Sequence, residues 1–406
     1  MEKINIVIIG GGFGGVAVAK KLAIFAKLRP ELCITLISRS KVSLFTPLLH
    51  EVATGSLRPD GVGESLAEIF KGTAVKLIFD SVQSVDVDER QVTTERGKQF
   101  GYDYLVLATG AKPNFFNTPG AEQFCHTLKT LEDAIELKKA IVASAEVVKK
   151  GVAPCVTIIG GGPTGVELAV ELSYFYRGTL FPKFAQEDLK PNITIIQKAP
   201  ELIPMFPERF RVLAKERLEK LGVTVLLSKG VKEIFSNVVV TDDGTTFPSV
   251  LTVWTAGVQS DIPPIAGWTA PAPLAGGRLP VLQTLQLIDS PNIFVLGDIA
   301  AFTNPGEKGP VPQLAQVATR QGPVVARNIM ALIDGKPLEN YHFISVGLLM
   351  SVGEWMAIAQ VKSLFLSGKV AWVLWRAIYL SKIETLPDKC RVLFDWSRNL
   401  FLQRRS

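Results

Sequence analysis

Cysteines close enough to pair are absent from this chain. Its four stand far apart, at Cys33, Cys125, Cys155 and Cys390, which excludes a disulfide scaffold and a zinc knuckle alike. Isolated thiols of this kind suit a reducing compartment. Histidine is equally sparse, at His50, His126 and His342, so no metal site is expected. Long apolar runs are missing too. Hydrophobic residues make up 47% of the 406 and mean hydropathy is +0.26, yet no run reaches the roughly 18 uninterrupted residues of a membrane-spanning helix. The chain turns at once into a strand-like segment, and the glycines at 10–12 fit a turn better than the cleavage site of a secretory leader. High hydrophobicity with 20% charged residues excludes a disordered chain.

A strong charge of either sign is missing from most of the molecule. The net charge is +6 at pH 7. Residues 341–406 carry nine basic side chains, Lys362, Lys369, Arg376, Lys382, Lys389, Arg391, Arg398, Arg404 and Arg405, against the acidic Glu354, Glu384, Asp388 and Asp395, and so hold +5 of that total. The rest is nearly neutral, which argues against a nucleic-acid-binding face on the body. At about 150 residues per domain, the length makes room for two or three domains.

What is present is a repeat. INIVIIGGGFGGVAVAKKL at 4–22 and VTIIGGGPTGVELAVEL at 156–172 each run from a β-branched strand through G-x-G-x-x-G into a helical apolar pattern. The glycines are Gly10, Gly12 and Gly15 in the first, Gly160, Gly162 and Gly165 in the second. A second β-like run follows each, at 33–37 and 193–196. This is the βαβ layout of a dinucleotide fold, twice. One glycine permits the tight turn, one lets the backbone approach a pyrophosphate, and one lets helix and strand pack closely; the phosphates then face free N–H groups at the helix N-terminus. A single such motif is a weak signal, but two in the right strand–helix context are a strong one.

Three further strands end in small residues. Ala108-Thr109-Gly110 closes LVLATG and Thr255-Ala256-Gly257 closes VWTAG, each suiting a place where backbone passes close to a bound dinucleotide. NIFVLGDIAAF at 292–302 ends in Gly297-Asp298, where a carboxylate can accept hydrogen bonds from sugar-like hydroxyls.

In this order the elements resemble flavoproteins of the glutathione-reductase type, which have two dinucleotide folds. The resemblance implies an α/β fold with two Rossmann-like domains. An FAD domain at 1–112 is interrupted by an NAD(P)H domain at 113–264 and resumed at 265–335, and residues 336–406 form a C-terminal amphipathic helical region that binds membrane and dimerises. Branches that need a cysteine pair beside the flavin do not fit, since no close pair exists. The chain resembles the remaining branch, the type II NADH:quinone oxidoreductases, over its whole length. The resemblance is carried by LFTPLLHEVATGSL, GGGPTGVELAVEL, WTAGV, GDIA and LAQVATRQG, the last close to the family's AQxAxQQ quinone motif.

That resemblance assigns roles. Gly10, Gly11, Gly12, Phe13, Gly14 and Gly15 match the loop under the FAD pyrophosphate, and Ser38 and Arg39 the adenosine end, with Ser38 standing where many dinucleotide folds have a ribose-binding carboxylate. Ser43, Pro47 and Val82 occupy nearby family positions, Val82 equally reading as a core strand residue. Ala108, Thr109 and Gly110 flank the cofactor, Gly297 and Asp298 its ribityl chain, and Ala315 and Gln316 its isoalloxazine. Gly160, Gly162, Thr164 and Gly165, with Ala256 and Gly257, belong to the NAD(P)H site. Glu167 matches a glutamate that orients NADH or passes a proton; its place two residues after the third glycine also reads as first-turn compensation of the helix dipole. Gln316 and Gln321 resemble the quinone-site glutamines, while Arg320 replaces a glutamine and serves either a quinone carbonyl and reduced flavin or the helix surface. His50 reads as a buried, satisfied histidine.

Gln197 stands where NADH-specific members have glutamate. It does not repel a 2′-phosphate, and Lys198 can attract one, so NADPH is expected beside NADH. In the tail, Lys369 and Arg376 fall on one helical face among Trp372 and Trp375, and four of six tryptophans, Trp355, Trp372, Trp375 and Trp396, lie in this region. Basic residues with tryptophan and leucine suit an in-plane membrane anchor. A match at Lys382 implies a reach back toward the flavin. The resulting reading is FAD-dependent oxidation of NAD(P)H by a membrane quinone, without proton pumping, by a homodimer at the cytoplasmic face of the cell membrane. A reductase of a biosynthetic naphthoquinone precursor and a low-turnover flavin redox sensor are the alternatives, and a soluble reductase of a ferredoxin-type partner needs no such tail.

Overall fold

The structure, a computed structural model, describes residues 2–402 except Glu187, Pro191, 270–272 and Ser363. Arg404 and Arg405, part of the basic tail, lie outside the described residues.

From its first strand the chain builds a parallel sheet: β1 (Ile4–Ile9), α1 (Phe13–Ala26) and β2 (Leu32–Ser38). A short helix, α2 (Leu49–Thr54), precedes β3 (Val75–Phe79) and β4 (Tyr104–Leu107). The chain then makes α3 (Leu131–Ala143) and a second set: β5 (Cys155–Ile159), α4 (Pro163–Phe175), β6 (Asn192–Ile196), α5 (Glu208–Lys220), β7 (Val223–Leu226) and β8 (Leu251–Trp254). It returns with β9 (Gln286–Leu287), β10 (Ser290–Val295) and α6 (Ala315–Ile333). The tail follows as β11 (Leu348–Ser351), β12 (Ala357–Val361), β13 (Leu364–Gly368), α7 (Lys369–Lys382) and α8 (Leu386–Leu402).

Two compact units result, each discontinuous in sequence. One comprises residues 1–44, 64–112 and 258–345; the other comprises 45–63, 113–257 and 346–406. These limits differ from the expected ones in two places. The segment 45–63 belongs with the second unit, and 346–406 joins that unit instead of standing apart. The reason is packing: α2 lies on α3 and α4, and β11 of the tail lies on α4.

The first unit has a six-stranded sheet in the order β9-β10-β4-β1-β2-β3, parallel except for the β9–β10 edge. Its strands are almost unbroken β-branched and leucine runs, because both faces are covered. One face packs Ile6, Ile8, Leu36 and Phe294 against Val18, Leu22, Val325 and Ile329 of α1 and α6. Those helices cross closely at Gly322, where a Cβ would stand 2.6 Å from the Ala17 methyl. The second unit has a parallel sheet in the order β7-β6-β5-β8, and β11, β12 and β13 form an antiparallel meander.

One tail element departs from expectation. Residues 364–368, read as the start of an amphipathic helix, are the strand β13, and the helix starts only at Lys369. Pairing of all five residues with Ala357–Val361 satisfies their backbone and overrides the helical pattern.

Candidate functional site

Both helices that follow the glycine turns start without a side-chain cap. The N-caps of α1 and α4 are Gly12 and Gly162, and neither helix has a side-chain cap hydrogen bond, whereas α3 carries a full capping box from Thr130 and Asp133. Unsatisfied N–H groups at a helix start bind anions. Space is kept there as well: a Cβ built on Gly12 or Gly162 meets nothing within 4 Å. The other glycines are closed in. A Cβ on Gly10 would stand 2.2 Å from the Ala108 carbonyl oxygen, and one on Gly15 would stand 1.9 Å from that of Gly10. In the second motif, Gly160 lies against Ala256 and Gly165 against the Gly160 carbonyl, at 2.7 and 2.1 Å from a built Cβ. Gly10 and Gly160 also have φ of +112° and +111°, which no side chain favours.

In the first unit, the residues around this turn fit a dinucleotide. Ser38 is buried over Gly11, its hydroxyl donating to the Ser40 carbonyl at 2.8 Å. Arg39 is exposed and pairs with Asp261 at 2.8 Å. Ser43 is buried, Val82 is a half-buried residue of a side sheet packed on the second face of the core, and Gly14 touches Leu296. Thr109 Oγ1 is buried with no hydrogen-bond partner, next to Ala108 and Gly110. Asp298 sits in a single turn of 3₁₀ helix after Gly297. An uncapped helix start, a glycine-walled cradle and the unpartnered Thr109 hydroxyl fit the pyrophosphate and polar edge of FAD.

Gln321 is wholly buried, and its Oε1 accepts the Gly297 N–H at 2.7 Å while Nε2 has no partner. It therefore braces the Gly-Asp turn. Arg320 is exposed and donates to the Ile344 carbonyl at 2.8 Å, which favours the surface reading. Ala315 and Gln316 open α6, whose first turn has no side-chain cap. The second unit places Pro47 in a 3₁₀ turn before α2, Thr164 exposed in the first turn of α4, and Gly257 against the Phe116 ring. Gln197 is tied down: Oε1 accepts from Gly161 N–H at 2.8 Å and Nε2 donates to the Glu201 carbonyl at 3.3 Å. Lys198 and Lys382 are exposed.

Glu167 needs a different account from the helix dipole. α4 begins at Pro163, so Glu167 is its fifth residue and lies beyond the first turn. It is buried, its Oε1 accepts the Ser351 N–H at 3.3 Å, and its Oε2 lies 3.9 Å from His50 Nδ1. Burial pushes its pKa well above the usual carboxylate range. His50 is buried as expected but not satisfied, since Nε2 has no partner. Burial lowers its pKa to about 4, so it is neutral at pH 7.

Beside Glu167 lies a group that the sequence did not single out. Glu51, Glu171, Glu354 and Arg376, with Ser56, Ser351, Tyr174 and three tryptophans, line a cavity of about 40 Å³. Glu171 is one turn from Glu167 on the same face of α4. The Ser56 hydroxyl donates to it at 3.3 Å, and burial with Glu51 nearby raises its pKa to about 8. Glu51 Oε2 accepts from Trp396 Nε1 at 2.8 Å, and burial raises its pKa against the pull of Arg376. Arg376 lies between the rings of Trp372 and Trp396, 4.0 and 4.5 Å from their centroids. This corrects the tail reading. Arg376 does not share an outward face with Lys369, and Trp372, Trp375 and Trp396 are buried. The available signal was the i, i+4 spacing of Glu167 and Glu171.

The outward face of the tail is apolar all the same. Val370, Val373, Leu386, Leu393 and Phe394 are exposed. Among the described residues, no helix is long and apolar enough to cross a membrane.

Comparisons agree with this geometry. Residues 4–322 match the model of the pyridine nucleotide-disulphide oxidoreductases, and residues 346–405 that of the NDH2 C-terminal domain. The type II NADH:quinone oxidoreductase Ndh of Mycobacterium tuberculosis is 30% identical, the match covering 99% of this chain and 89% of that protein. The corresponding enzyme of Haemophilus influenzae is 28% identical, with 92% of each chain covered. In fold, the chain is similar to NDH2 from Plasmodium falciparum in complex with NADH, at 19% identity, TM-score 0.86 and 99% of each chain.

Proposed function

Because the chain belongs to the type II NADH:quinone oxidoreductase family, we propose that it oxidises NADH with a membrane quinone at the bilayer surface, without pumping protons. The observation that carries this reading is the pair of uncapped, glycine-walled helix starts, one in each unit, in a chain that also has the family's C-terminal domain. Gly10, Gly12 and Gly15, with Ser38, Thr109 and Asp298, would hold FAD. When bound, FAD supplies a two-electron carrier between nicotinamide and quinone. Gly160, Gly162 and Gly165 seat the NADH pyrophosphate on α4, and Ala256 and Gly257 close its site. Gln321 fixes the Gly-Asp turn, Gln316 faces the quinone, and Glu167 transfers a proton. The exposed apolar face of α7 and α8 rests on lipid, on the cytoplasmic side of the cell membrane, and a second copy completes a homodimer.

One observation favours wider nucleotide use. Gln197 is uncharged and already bonded to Gly161, and Lys198 next to it is exposed. Gln197 does not repel a 2′-phosphate and Lys198 can attract one, so NADPH serves as well as NADH. The test is an absorption spectrum of the purified protein, then anaerobic titration with NADH and NADPH, then turnover with a short-chain quinone. A yellow protein bleached by both nucleotides and reoxidised by quinone is expected. A colourless protein that takes up no flavin refutes the reading.

A further inference from the structure

Phe116 is a large apolar side chain that the fold holds in the open. It is 60% exposed. Its backbone has a φ of +49°, and Asn117 follows at +55°. For a bulky residue this left-handed conformation is strained, and such strain gathers where a ligand is clamped. A set of hydrogen bonds keeps it there. Asn114 Oδ1 accepts the Phe116 N–H at 2.9 Å. Asn114 also gives its own N–H to the Gly257 carbonyl at 3.1 Å, and its carbonyl accepts the Trp254 indole N–H at 2.9 Å. Phe115, the preceding residue, packs on the Trp254 ring with centroids 5.6 Å apart. The Phe116 ring is thereby laid on Gly257, where a built Cβ would stand 2.6 Å from its Cζ and 2.8 Å from its Cε2. Any side chain at 257 would take the place of the ring.

The sheet decides what lies beside that ring. In the order β7-β6-β5-β8 the strand sequence reverses between β5 and β8, and a dinucleotide lies across the crevice at such a reversal. Its pyrophosphate takes the glycine turn after β5. Its adenosine ribose takes the end of the next strand, β6, where Gln197 stands. The nicotinamide half is left to the other side of the turn, over the end of β8. That strand runs from Trp254 into Ala256, which closes on Gly160, and then into Gly257 under the Phe116 ring.

We propose that Phe116 binds the nicotinamide ring of NADH, as an aromatic wall beyond the end of β8. The inference rests on the oxidoreductase reading above and deepens it to the half of the nucleotide that reacts. A phenyl face suits a flat, weakly polar ring, and it also attracts the cationic ring of NAD⁺. The side chain is bare before the nucleotide arrives and gains burial when it does. Because Asn114 and Trp254 already fix the loop, little freedom is lost on binding.

The test measures binding to the full-length, FAD-loaded enzyme after reduction with dithionite, so that NADH binds without being consumed. Titration calorimetry compares NADH with ADP-ribose, which keeps the adenosine, the pyrophosphate and the second ribose but has no nicotinamide. Phe116→Ala is expected to weaken NADH about tenfold, within the range of a lost aromatic stacking contact, and to leave ADP-ribose at its wild-type Kd. Phe116→Tyr keeps the ring and binds both as wild type does. If the alanine chain does not fold, Phe116→Gly carries the same expectation, since glycine suits the left-handed backbone. An NADH Kd unchanged by loss of the ring overturns the proposal. So does an equal loss for NADH and ADP-ribose, which marks a damaged turn or a contact with the adenosine half. Wild-type enzyme that binds neither ligand refutes instead the reading beneath it.

Discussion

At the scale of single residues, burial outweighs nearby charge in deciding which side chains hold protons. Glu171 and His50 show the two signs of one effect: burial lifts an acid toward neutrality at pH 7 and strips a base of its charge. The same shift bears on stability. An acid whose folded pKa is raised loses stability as pH climbs from its ordinary 4.5 to about 8, since the unfolded chain releases the proton first. Wild type should therefore lose melting temperature relative to Glu171→Gln across that window and keep the difference constant above it, which thermal melts in a pH series will check. Gln197 gives a specificity test. Its carboxylate counterpart can still accept the Gly161 N–H, so Gln197→Glu keeps the shorter of the two bonds, gives up the 3.3 Å one to the Glu201 carbonyl, and adds a charge. NADPH kcat/KM should fall about tenfold with NADH little changed, the effect of roughly 1.4 kcal/mol of repulsion; equal losses for both nucleotides would show a damaged loop instead.

The tail helices, at the scale of elements, are anchored on one side and bare on the other. Asp395 of α8 is fully buried and accepts from both the backbone N–H and the guanidinium of Arg58, each at 3.1 Å. Trp396 and Arg376 face inward beside it. The opposite faces carry Val370, Val373, Leu393 and Phe394, exposed by half or more, each able to gain about 1.5–3 kcal/mol on full burial. Val373→Asp with Phe394→Asp should lower binding to anionic-lipid vesicles by more than about tenfold. Turnover with a water-soluble quinone should persist, because neither side chain belongs to a cofactor cradle. Cosedimentation as strong as that of wild type would place the lipid contact elsewhere.

At the scale of the whole molecule, the chain carries two dinucleotide-type sheets and most of its net charge in its C-terminal segment. Both glycine turns could be read directly from the sequence, because their geometry is set within a few residues: the positive φ of Gly10 and Gly160 and the near-contact of Gly15 and Gly165 with a turn carbonyl need only local chain. The parallel strands were equally plain, since β-branched runs buried on both faces leave little else to form. The buried cluster of glutamates around Arg376 was not legible. Glu51, Glu171, Glu354 and Arg376 come from separate stretches of chain, and periodicity tells which residues share a helix face but not whether that face meets lipid or protein. For that reason Arg376 and the tryptophans of α7 read as membrane contacts. Local backbone chemistry thus fixed the two glycine turns, whereas burial, a property of the assembled fold, decided which charges survive.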